Sequence, residues 1–190
     1  MRRFVVAALA LAASATLSAT VLIPTEFREV VADAELIIRG HITDVRALQT
    51  PEGRVETAAT VGVDNVLKGQ ADTFISVRVP GGRIGDSRMV MVDAPEFRVG
   101  ERALFFLKRG IDNAWRPVGL SMGVYPIRVE PLSGQPVIDP PLVAGRTATA
   151  GQVIVRGDAR RKAMSVGDFE SLVQLLVATR TVTATAGNRR

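Results

Sequence analysis

Few residues in this chain are equipped to do chemistry. His41 is the single histidine and cysteine is absent. A zinc site built from several histidines or thiolates is therefore impossible, and a histidine-based triad would have to use this one residue. His41 stands beside Gly40 in an alternating apolar stretch and reads as an ordinary strand side chain. Asp86, Asp93 and Glu96 are near neighbours but lack the regular spacing of a calcium loop, so they read as solvated loop charges. Met89 and Met91 share one face of a short strand. Two thioethers without His or Cys make a poor copper site, which leaves core packing as the expectation. Pro80-Gly81-Gly82-Arg83-Ile84-Gly85 has the glycines of a phosphate cradle. A phosphate loop, however, leads into a helix and carries Lys-Ser or Lys-Thr. Here a β segment follows and neither pair is present, so the glycines read as loop positions with positive φ. Arg156-Gly157-Asp158 spells an adhesion tripeptide, but Arg and Gly are common here and chance accounts for it. Arg160-Arg161-Lys162 reads as a solvated lead-in to a helix. No Ser-His-Asp, Cys-His or paired-carboxylate set has a recognisable spacing. The expectation is a non-enzyme with no catalytic residue, no metal and no cofactor.

What remains is a surface. Two loops shaped by glycine and proline flank one short strand, Arg88 to Val92. The first supplies Gly81, Gly82, Arg83 and Gly85, with Arg88 at the strand's start; the second supplies Pro95, Phe97 and Gly100. These eight residues are the expected partner-binding set, with Arg83 and Arg88 as charged contacts and a protein, such as an exported protease or its substrate, as the partner. Two other classes stay open. A structural envelope or surface protein would keep its N-terminal segment in a membrane. A hydrolase with an unrecognised site would show turnover that is lost on replacing one acidic residue.

The elements that must position this surface lie behind an apparent leader. Arg2 and Arg3 form a positive n-region, Phe4 to Ala13 an apolar h-region, and small residues follow. Ala13-Ser14-Ala15 fits the cleavage rule, and a second cut after Ala19 is open. A ten-residue h-region makes a helix of about 15 Å, too short for a bilayer core of about 30 Å. The competing reading is an uncleaved anchor, since no charge appears from Phe4 to Thr25. Without cysteine there is no lipobox, and ordinary Sec export fits better than the twin-arginine route. The expected location is the periplasm or the medium, with membrane contact only through an uncleaved leader. An exported chain without disulfides must rest its fold on burial alone. About 170 residues after cleavage at Ala19 suffice for one core. Losing Arg2 and Arg3 lowers the formal charge from +5 to +3. Of the 24 basic residues only Lys68, Lys108 and Lys162 are lysine. They are scattered and aromatics are few, which argues against nucleic-acid binding.

Along the mature chain, Thr25 can cap a short helix, Glu26 to Ala32, with Phe27, Val30 and Val31 on one face. The predicted strands are Leu36 to Val45, Arg54 to Leu67, Phe74 to Val79, Arg88 to Val92, Ala103 to Lys108 and a last pair, Trp115 to Leu120 with Gly123 to Val129. Gly40 predicts a bulge or bend, Gly62 a second, and Ala103 to Lys108 is continuous enough to be buried on both faces. Pro131 to Gly151 reads as an exposed excursion. Ser165 can cap a C-terminal helix, with Asp168 as its near capping box and Phe169, Leu172, Val173 and Leu176 at helical spacing. Thr181 to Arg190 reads as a polar, disordered tail. The expected fold is mostly β: one domain over residues 24–180, an OB-like five-stranded antiparallel barrel with a short N-terminal helix and a C-terminal helix. More than five strands are predicted, so some must merge or lie outside the barrel.

Ala32-Asp33-Ala34-Glu35-Leu36-Ile37-Ile38-Arg39-Gly40-His41-Ile42 resembles the first strand of netrin-like domains, including tissue inhibitors of metalloproteinases. Val66-Leu67-Lys68-Gly69 resembles the end of their second strand and its Lys-Gly turn, and Arg98 to Leu107 a later Gly-then-apolar strand. The match covers about half the chain, and the order of the pieces carries it. The chain also resembles an uncharacterised group of exported bacterial proteins through Gly81-Gly82-x-Ile84-Gly85, Pro95-x-Phe97-x-x-Gly100-Glu101 and Val118-Gly119-Leu120. That group implies no known activity. The animal inhibitors place an N-terminal cysteine on the catalytic zinc; this chain has none. The resemblance implies the fold and not inhibition.

Overall fold

The computed structural model describes residues 25–139 and 163–187, with only the backbone described at 25, 26, 87 and 180–187. The leader, the later part of the Pro131–Gly151 excursion, Arg156-Gly157-Asp158 and Arg160-Arg161-Lys162 lie outside the described residues. The chain is mostly β, with a helix near each end of the described part. Helix α1 (Thr25–Asp33) leads into β1 (Leu36–Gln49) and β2 (Val55–Lys68). Then come β3 (Phe74–Pro80), β4 (Gly82–Ile84), β5 (Ser87–Met89), β6 (Arg102–Arg109) and β7 (Trp115–Pro117). A 3-10 turn (Leu120–Gly123), β8 (Val124–Val129), β9 (Pro136–Ile138), β10 (Met164–Ser165) and α2 (Val166–Gly187) complete it.

The main sheet closes on itself through five strands in the order β1-β2-β3-β7-β6, with β6 returning to β1. All contacts in this ring are antiparallel except β3 with β7, which run parallel at Val77 and Trp115. β8, β9 and β10 extend the sheet beyond β6, and β4 with β5 forms a separate hairpin. Trp115 to Leu120 and Gly123 to Val129 are expected to pair with each other, and they do not. β7 takes Leu107 to Arg109 of β6, whereas β8 takes Arg102 to Phe105 of the same edge. The 3-10 turn offsets the two strands along β6 instead of folding them into a hairpin.

Strand alternation sorts side chains into two cores. Leu36, Ile38, Ile42, Ala59, Val61, Ile75, Val77, Ala103, Phe105 and Leu107 fill the interior of the ring. Ile37, Leu104 and Phe106 point the other way, under both helices. Ala103 to Leu107 is therefore buried on both faces, as its unbroken apolar run predicts. Phe27, Val30 and Val31 of α1 and Phe169 and Val173 of α2 cover the outer face. Phe27 contacts Phe106, Tyr125 and Phe169 at centroid separations of 5.6–5.7 Å. Register shifts flank Gly40, where the bend is expected. Pro136–Ile138 corrects the expected exposed excursion: it is a strand, with Val137 and Ile138 buried. α2 also runs through Gly187 where a tail is expected from Thr181, because no helix breaker intervenes.

Candidate functional site

At one end of the ring, β3 leaves the sheet through Gly81 (φ 97°) and Gly82 (φ 147°), conformations that side-chain-bearing residues rarely adopt. The hairpin root is fastened to β2: Gly81 N–H donates to the Val55 carbonyl at 2.9 Å, and Thr57 Oγ1 donates to the Gly81 carbonyl at 2.8 Å. Space explains Gly82 as well as backbone freedom. A Cβ there would stand 2.8 Å from Thr57 Oγ1 and 3.3 Å from Val55 Cγ1. The two glycines therefore lay the β4–β5 hairpin against the ring. Gly85 (φ 56°) takes the first position of its two-residue turn, where a Gly-X hairpin turn places glycine.

Beyond β5 the chain runs back across the ring's end and encloses an open groove of about 280 Å³. Its floor is Val45, Thr57 and Val79; its walls are the hairpin and the segment from Val90 to Arg98. Ser121 anchors the far wall, its N–H donating to the Asp93 carbonyl at 3.1 Å and its hydroxyl to the Asp93 carboxylate. Asp93 holds φ 68° and Leu120, beside Ser121, φ 56°. Positive φ is uncommon for Asp and a genuine departure for bulky Leu, so this anchor is a strained one. Phe97 packs on Phe105 at 6.3 Å and caps the ring's interior, and it also lines the groove.

Of the eight expected residues, Gly81, Gly82, Arg88, Pro95 and Phe97 line this one groove. Arg83 stands directly opposite Arg88 on the hairpin. Gly85 is at the hairpin tip, and Gly100 (φ 88°) lies in the return to β6, its N–H bonded to the Ile42 carbonyl at 2.8 Å. The expected strand from Arg88 to Val92 is shorter than its sequence suggests, since strand pairing ends at Met89. Met89 and Met91 are corrected too. They are 38% and 45% exposed, not core, and Val90 and Val92 are more exposed still at 69% and 85%. Strands β1 and β2 of the ring pack on β4, whereas among the described residues no ring strand pairs with β5 or the segment after it. The groove's floor residues carry no local sequence signal, because they come from three ring strands and meet only after closure.

The electrostatics of the groove are uneven. Glu96 and Glu101 both lie near Arg98, at 3.9 and 4.0 Å. Arg83 Nε donates to the Gly85 carbonyl at 3.2 Å. Among the described residues, neither Arg83 nor Arg88 forms an ion pair.

Other polar constellations join the ring strands to one another. His41 Nδ1 bonds Asp64 Oδ1 at 2.9 Å, and Arg102 reaches the same carboxylate at 3.2 Å. Among the described residues no hydroxyl hydrogen-bonds the His41 ring, which lies instead over Gly62 of β2. Glu56, the one buried carboxylate among the described residues, takes a 2.9 Å bond from Arg116 of β7, which also bonds Asp112 at 2.9 Å. That bond from Arg116 holds the Asp112 carboxyl below its ordinary range. Asp86, Asp93 and Glu96 belong to no group of three or more potential metal ligands among the described residues. No helix there is long and apolar enough to cross a membrane.

No protein-family model matches this chain, and no curated protein matches it.

Proposed function

We propose that this chain is an exported, non-enzymatic binding module that recognises a protein partner through the groove between the β4–β5 hairpin and the end of the ring. The observation that carries this is the run from Met89 to Val92: consecutive apolar side chains left in water, of which Met89, Val90 and Met91 line a shaped cleft. Exposed apolar surface of this kind marks interaction sites. Methionine suits it, because its flexible thioether adapts to a partner's shape. At about 280 Å³ the cleft falls just below the usual size of small-molecule sites, while a few side chains of a polypeptide fill it. Strain at Asp93 and Leu120 fits a wall held in place for binding.

The fold reading that goes with it is an OB-like, netrin-type barrel. In its support, β6-β1-β2-β3 has the Greek-key order, a fourth strand lying beside the first, and β7 closes the five-stranded ring. Export to the periplasm or medium rests on the leader. The non-enzymatic reading rests on His41, whose imidazole is bonded to Asp64 with no nucleophile attached among the described residues.

Affinity capture from the native periplasm or medium tests the proposal. A partner should be retained by the wild-type chain and lost by the exposed-wall variant Val90→Asp/Met91→Lys. Equal retention by both would reject the groove.

A further inference from the structure

Resting on that reading, we infer that the segment the groove takes is an extended stretch of polypeptide in which apolar residues adjoin carboxylates, with a carboxylate seated on Arg83 and Arg88. The two arginines are a directly opposed cross-strand pair in a hairpin of three residues per strand. Like charges in that position repel, and a two-stranded hairpin has little stability to spare. A nearby carboxylate would relieve the pair, yet those around it are committed elsewhere. Glu96 and Glu101 attend Arg98, and Asp93 holds Ser121. Among the described residues' ion pairs, Asp86, in the hairpin turn itself, joins neither arginine. The positive pair is thus left for an external anion, and paired guanidinium forks suit a carboxylate.

The walls decide what kind of molecule carries that carboxylate. Beside the charged Arg88, Glu96 and Arg98 they present Met89, Val90, Met91, Ala94 and Pro95, with one aromatic, Phe97; such walls accept apolar residues and offer little for stacking bases. β5 has β4 as its one strand neighbour among the described residues. Its outer edge is open to a third strand, which would add main-chain hydrogen bonds and set alternate side chains of the guest toward the groove.

The test is selection of a random peptide library on the purified full chain, followed by anisotropy titration of a labelled winner at low and high salt. Winners should carry Asp or Glu beside apolar residues. Arg83→Ala/Arg88→Ala should weaken them about ten- to a hundredfold, as loss of charged hydrogen bonds does. Added salt should weaken them too. Both side chains are exposed, so the variant's thermal unfolding should match wild type. Uncharged or basic winners that Val90→Asp/Met91→Lys abolishes would overturn the acidic specificity and leave the groove standing. No winners at all, or winners indifferent to Val90→Asp/Met91→Lys, would overturn the groove together with this inference. A single-stranded oligonucleotide displacing the peptide at equal concentration would overturn the choice of polypeptide.

Discussion

Two residues show how little slack the ring contains. A Cβ on Gly62 would lie 2.7 Å from the His41 ring. Gly62→Ala should therefore push the half-exposed imidazole off Asp64 and cost about 1 kcal/mol, the net worth of that hydrogen bond. In a His41→Ala background most of that cost should vanish, and a double-mutant cycle by urea unfolding measures the difference. Additive effects would show that the ring does not set the constraint. Gly40 offers no such relief, because the Gly62 carbonyl oxygen would stand 2.5 Å from its Cβ. Lys68 does a different job. Its ammonium donates to the carbonyls of Val31 and Ala32 at 2.9 and 3.3 Å, and to that of Ala34, closing the C-terminal end of α1. A cation there meets orphan carbonyls and the negative end of the helix dipole. Lys68→Met should lower unfolding stability by about 1–3 kcal/mol. Sequence makes Lys68-Gly69 legible as a turn, but not as a helix cap, because the helix lies more than thirty residues upstream.

At the scale of elements, α2 was the most readable and the hairpin the least. Ser165 Oγ accepts the Asp168 N–H at 3.1 Å, as the Ser-x-x-Asp spacing predicts, while the Asp168 carboxylate takes the Ser165 hydroxyl at 2.8 Å in place of the backbone N–H of a full capping box. Phe169 and Val173 are fully buried, with Leu172 and Leu176 packed beside them. Ser165→Ala should cost about 1 kcal/mol and Phe169→Ala about 3–5 kcal/mol, both read by denaturant titration. A Phe169→Ala cost no larger than that of Ser165→Ala would mean that α2 is not part of the core. Capping and helical spacing are local rules, and so they were visible. The β4–β5 hairpin obeys local turn chemistry as well, but nothing local says whether its apolar residues will be covered. Met89 and Met91 for that reason read as core residues in the sequence and stand in water in the fold.

For the whole molecule, the outer core predicts a response to alkali. Tyr125 is the sole tyrosine, and burial raises its phenol well above the usual value. In the unfolded chain it ionises near the reference value of about 10. The folded state therefore holds its proton more tightly, and this contribution is complete below about pH 10 and is lost as pH rises further. Unfolding stability should fall above that point, and Tyr125→Phe should flatten the decline. With one tyrosine, near-ultraviolet phenolate absorbance reports the titration directly. A phenol ionising near 10 in the folded protein would contradict its burial.

Neighbours along the chain settle the period-two strands, the face of each helix, the glycine turns, and the chemistry ruled out by one histidine and no cysteine. These follow from the pleat, the helical repeat and composition, which operate over a few residues. Contacts between distant segments settle the rest. β6 divides one edge between β7 and β8, Glu56 is buried on Arg116 from sixty residues away, and Gly82 lies on Thr57. The groove exists because the hairpin rests on a ring already closed. Which surfaces a closed sheet leaves uncovered is set by the pairing of its strands, and no short window of sequence contains that pairing.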